Sequence, residues 1–159
     1  MLKINIICIG NLKESYWKGA YLEYSKRLGA FCRFSMIELS ECKLPKDPSK
    51  AQIDQALDKE GKQIIRRIGK SYSIALCIEG ARLTSEDFSK CIDELSVNGV
   101  SEISFIIGSS YGLSDEVKSF VNAKISLSDM TYAHQLARIM LCEQLYRACS
   151  ILTSGKYHK

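Results

Sequence analysis

The chain has 159 residues, 46% of them hydrophobic and 25% charged, with a formal net charge of +4. Length and composition suit one soluble globular domain, residues 1–159, and no run approaches the roughly 18 apolar residues that a membrane span needs. The mild positive charge permits an anionic partner such as RNA, but Lys13, Lys18, Lys26, Arg27, Arg66, Arg67 and Lys70 are scattered rather than clustered into one basic face.

Strand and helix patterns alternate from the start. Ile4–Ile9 is almost wholly apolar, as expected of a strand covered on both faces of a parallel sheet. Trp17, Tyr21, Tyr24 and Leu28 recur at helical spacing, with Gly29 placed to end that helix. Phe34–Leu39 reads as the second strand, and Cys42–Ser49 as a loop holding both prolines. Ser49-x-x-Gln52 resembles a capping box ahead of a helix striped by Ile53, Leu57, Ile64 and Ile68. Ile74–Ile78 is the third strand, ending at Glu79-Gly80. Thr84-x-x-Asp87 opens a helix with Phe88, Cys91, Ile92 and Leu95 on its buried side. Ile103–Ile107, Ser114–Val121 and Ile125–Leu127 read as strand, short helix and strand, and a last helix runs from about His134 to Leu152. The expected fold is therefore α/β, with a mainly parallel sheet of five to six strands and helices on both faces.

Seven cysteines, an odd number without a C-x-x-C pair, read as small buried hydrophobes in a reducing cytoplasm rather than as a disulfide framework or a metal site. The start, Met1-Leu2-Lys3-Ile4, lacks the pattern of a signal peptide, so the expected location is cytoplasmic.

Three loops at strand ends form the candidate site: Glu79–Arg82, Gly108–Gly112 and Ser128–His134. Glycine in such a loop lets the backbone approach a ligand closely. G-x-G-x-x-G is absent, which counts against a dinucleotide-binding dehydrogenase, and the middle loop lacks the Lys-Ser/Thr ending of a phosphate-binding loop.

The chain resembles a known family in these segments. Ile107-Gly108-x-x-x-Gly112-Leu113, Leu127-Ser128-x-Met130-Thr131-x-x-His134-Gln135, Glu143-Gln144-x-Tyr146-Arg147-Ala148 and the terminal Tyr157-His158-Lys159 resemble the ribosomal RNA large subunit methyltransferase H (RlmH, YbeA-like) family of the SPOUT class. Gly10-x-Leu12-Lys13, Lys59-Glu60-Gly61 and Leu76-x-Ile78-x-Gly80 extend the likeness over essentially the full length. The resemblance implies a C-terminal trefoil knot, which no periodicity suggests, and a homodimer with S-adenosyl-L-methionine at the knot. It also implies methylation of N3 of a pseudouridine, position 1915 in ribosomal RNA numbering, in helix 69 of 23S rRNA, within the large subunit or the 70S ribosome. Carried over by motif, the cofactor contacts are Leu76, Gly108 and the loop Leu127, Ser128, Asp129, Met130, Thr131 and Tyr132.

The chemistry fits those positions. A flat adenine suits apolar walls such as Leu76 and Leu127, and a sulfonium needs no metal to activate its methyl group. The target imide must lose its N3 proton, which calls for a base or a water path. His134 and Arg138 share a helix face, making His134 the candidate base or a structural cap and Arg138 a candidate phosphate or target-base contact. Tyr157 and His158 are expected on a tail that orders on RNA or at the dimer interface. Ser109 stands where the family often has a second glycine, and Ala133 where proline is common; both put loop rigidity at issue. The alternative is a non-catalytic RNA-binding protein of the same fold.

The final helix carries Leu136, Ile139, Met140, Leu141, Leu145, Ile151 and Leu152 on more than one side, which suggests a self-complementary interface.

Overall fold

The computed structural model describes residues 1–153. In chain order these form β1 (Lys3–Ile9), α1 (Ser15–Leu28), β2 (Arg33–Leu39), α2 (Lys50–Ile68), β3 (Tyr72–Arg82), α3 (Ser85–Val97), β4 (Glu102–Ile107), α4 (Asp115–Phe120), β5 (Ala123–Ser126) and α5 (His134–Leu152). Among the described residues the sheet has five strands in the order β2-β1-β4-β3-β5, and every pairing is parallel. The loops that follow the strands therefore gather at one rim.

Apolar runs make sense once both faces are covered. Ile4, Ile6 and Cys8 of β1 face a core shared with Leu28 of α1, Phe88 of α3 and Leu141 and Leu145 of α5. Ile7 and Ile9 face a second core with Ile64 and Ile68 of α2 and Val117 of α4. The Ser49 cap is reciprocal: the Gln52 amide donates to Ser49 Oγ at 3.2 Å and the Ser49 amide to Gln52 Oε1 at 2.8 Å. Such a cap contributes about 1 kcal/mol to its helix.

Gly29 ends α1 as expected, with φ −58° in the right-handed region. Two expectations change. β3 runs on through Glu79 and Gly80 to Arg82, because Leu76 and Ala81 both register against Ile125 while residues 77–80 bow outward. Gly80 allows this, since a side-chain carbon there would strike the Ile125 backbone. Finally, α5 packs against both α1 and α3. Leu141 and Leu145 are fully buried within the single chain, and of the apolar positions named above only Leu152 is exposed. The apolar girth of this helix therefore does not itself require a partner.

All seven cysteines are free, and Cys8, Cys32, Cys142 and Cys149 are buried. Burial pushes the Cys8 and Cys142 thiols up to about 12, so both stay protonated near neutral pH.

Candidate functional site

A cavity of about 480 Å³ opens where β3, β4 and β5 end. Leu76, Cys77 and Ile78 form one wall, and Ile107 to Ser110 with Gly112 form another. Ser126, Leu127, Ser128 and Met130 to Ala133 wrap the third side, and His134 and Ala137 of α5 close it. The loop after β5 is shaped by its own serines: Ser126 Oγ donates to the Ser128 carbonyl at 2.9 Å, and the Met130 amide to Ser128 Oγ at 3.0 Å.

Gly108 is required by space. A side-chain carbon there would collide with the Gly112 carbonyl and crowd Leu113. Gly112 carries the positive φ of this loop, +85°, and its amide donates to the Ser109 carbonyl at 2.9 Å. Serine in place of a second glycine is thus accommodated: the Tyr111 amide reaches Ser109 Oγ at 3.4 Å.

Behind the loop lies Glu60 of α2, 3% exposed, whose Oε2 accepts from the Cys42 amide at 3.0 Å. Burial raises its pKa most, and Glu41 adds to the rise. The Cys42 amide and the Ser109 side chain oppose it by favouring the ionised form. The neighbouring Gly61 admits Ser114, which caps α4; a side-chain carbon at Gly61 would lie 2.6 Å from Ser114 Oγ.

The structure brings together seven of the eight expected cofactor positions: Leu76, Gly108, Leu127, Ser128, Met130, Thr131 and Tyr132. The eighth, Asp129, does not line the cavity; its exposed carboxylate turns outward to pair with Arg82. His134 lines the cavity and is half-buried. Burial lowers its pKa, Arg138 and Lys13 lower it further, and Glu41 pulls the other way, so the imidazole is neutral at pH 7.

Arg138 is corrected. Its side chain is 0% exposed and donates to the Ile9 and Gly10 carbonyls, so it is committed inside the fold and does not present itself to a phosphate or a base. Tyr157 and His158 lie outside the described residues. Sequence reasoning passed over Ile78, Ile107 and Ala137 as pocket residues. The strand-end motif and the helical spacing from His134 to Ala137 were the available signals.

Residues 2–158 match the family model described as predicted SPOUT methyltransferase. The chain belongs to the SPOUT methyltransferase family. Full-length relatives place it in the RlmH group of that family. The ribosomal RNA large subunit methyltransferase H of Streptococcus uberis is 44% identical over 99% of this chain and 100% of its own length. That of Exiguobacterium sibiricum is 45% identical over the same shares.

Among solved structures, a probable methyltransferase from Bordetella pertussis superposes with a TM-score of 0.56 at 10% identity, covering 93% of this chain and 96% of that one. The tRNA (m1G37) methyltransferase of Aquifex aeolicus gives 0.52 at 14% identity, over 91% and 69%. At such identities these two speak for the fold alone.

The residues present fit a methyl-donor nucleoside. Leu76 and Leu127 supply apolar walls, Gly108 leaves room where a side chain would intrude, and the loop backbone supplies donors and acceptors. Among the described residues, no group of three or more His, Cys, Asp or Glu is placed to hold a metal ion. No described helix is long and apolar enough to cross a membrane.

Proposed function

We propose that this protein methylates large-subunit ribosomal RNA with S-adenosyl-L-methionine, acting on N3 of the pseudouridine at position 1915 in helix 69 of 23S rRNA. The observation that carries the reading is the cavity at the ends of β3, β4 and β5, lined by seven of the eight residues that the family motif assigns to the cofactor. The curated RlmH relatives, named as ribosomal RNA methyltransferases and matched end to end, support the same substrate class.

Bound there, S-adenosyl-L-methionine supplies a methyl carbon activated by its positively charged sulfur. The chain does the rest by holding and orienting. Leu76 and Leu127 flank a flat base, while the backbone of Gly108 and of 127–132 reads its edges. His134, kept neutral by its surroundings, accepts the N3 proton of the target imide.

The same reading includes the trefoil knot, a cytoplasmic location, and a homodimer whose partner covers Ile78 and Met130, apolar side chains left exposed beside the cavity. It also includes Tyr157 and His158 as RNA contacts.

Calorimetric titration with S-adenosyl-L-methionine, followed by mass spectrometry of rRNA from cells lacking the gene, tests the proposal. Cofactor binding and loss of one methyl group on helix 69, restored by complementation, are expected. No binding at millimolar cofactor overturns it.

A further inference from the structure

Arg138 heads the largest completely buried side chains among the described residues. Its Nη1 donates to the Gly10 carbonyl at 3.0 Å and its Nη2 to the Ile9 carbonyl at 2.5 Å, both at the end of β1. Glu38 of β2 lies 3.8 Å away and also accepts from the Leu12 amide at 2.8 Å. The chain bends here through Gly10, whose φ is +81°. One turn back along α5, Gln135 Oε1 accepts from the Lys13 amide at 3.1 Å. Residues 9–13 and the start of α5 are thus fastened at two points.

A buried guanidinium is an expensive fastener. Desolvation costs several kcal/mol, and well-packed apolar residues of similar volume often serve stability as well or better. Arg138 is moreover imperfectly matched, because its buried Nε has no hydrogen-bond partner. Stability alone therefore does not account for it. What Arg138 does have is a place four residues beyond His134, on the same helix face and behind the cavity wall.

We propose that Arg138 is a positioning residue: from inside the fold it clips the first turns of α5 to the end of β1 and so sets His134 at the cavity. The inference rests on the reading that this cavity holds the methyl donor. The fixed charge acts on His134 as well as the hydrogen bonds do. Of the groups facing the imidazole, Arg138 on its own helix and Lys13 from the loop after β1 disfavour its protonation, while Glu41 from the loop after β2 favours it. Burial is the largest influence and acts in the same direction as Arg138.

The test is an NMR titration of the His134 imidazole in the full-length protein, with His158→Gln identifying the second histidine, beside calorimetry with S-adenosyl-L-methionine. In the wild-type protein His134 titrates below 6.5, its ordinary value. Arg138→Lys keeps that depressed midpoint, whereas Arg138→Met raises it and moves the acid limb of the kcat profile to higher pH. A folded Arg138→Met protein whose His134 titrates as in wild type overturns the proposal. So does a wild-type His134 that titrates at or above 6.5, a result that needs no variant to fold. If the wild-type protein binds no cofactor, the functional reading fails while the titration still decides the role of Arg138.

Discussion

Gly108 and Gly112 close the loop after β4 so tightly that the Gly112 carbonyl occupies the place of any side-chain carbon on Gly108. The Ser109–Gly112 bridge leaves no slack to absorb one. Gly108→Ala is expected to open the bridge and pull the loop from the cavity wall. Affinity for S-adenosyl-L-methionine then falls about tenfold or more, roughly 1.4 kcal/mol, in calorimetry. Unchanged affinity in the folded variant would show that this loop does not hold the cofactor.

Arg82 reaches from the end of β3 to Asp129 in the loop after β5, and both side chains are largely exposed. An exposed pair contributes only about 0–1 kcal/mol to stability. Arg82→Ala should leave the melting temperature nearly unchanged but loosen the loop over the cavity, so that cofactor dissociates faster in stopped flow. The difference from wild type should vanish near 1 M salt, where the screening length is only about 3 Å. A difference that persists in high salt rules out the ion pair as its origin.

Ala133 precedes α5 with φ −54° and ψ 134°, a conformation that a proline ring also imposes. Its amide donates no hydrogen bond among the described residues. Ala133→Pro should raise unfolding free energy by about 0.4–1 kcal/mol in denaturant melts, through the unfolded chain. A destabilised variant would mean that the segment needs a different backbone.

Glu60 should leave a mark on the pH dependence of stability. Its pKa in the folded protein lies above the ordinary 4.5. Between those values the folded state holds a proton that the unfolded chain has released, so stability from this group falls as pH rises through that window. Glu60→Gln, neutral throughout and still able to accept from the Cys42 amide, removes that slope. Urea unfolding of both proteins across the acid range measures it, and parallel curves would refute the assignment.

Much of the scaffold was legible because its signals are local. The capping box at Ser49 and Gln52 and the apolar run of β1 carry their structure in adjacent residues. The cavity loops were legible largely through the family motif. Arg138 was not, because four-residue spacing tells which residues share a helix face but not what covers that face. Here the end of β1, distant in sequence, covers it. The outward turn of the Asp129 side chain was hidden for a similar reason: its neighbours in sequence line the cavity, while its partner Arg82 lies on β3. The length of β3 depended on Gly80 meeting Ile125, a contact between segments that no single stretch announces.

The cavity takes its walls from segments spread between Leu76 and Ala137, the last of them the opening of α5. A growing polypeptide consequently has no place to capture its methyl donor until synthesis has carried past that final helix. Competence should arrive all at once, late in translation, and a release that comes too early should yield a protein blind to the cofactor rather than a weakened enzyme.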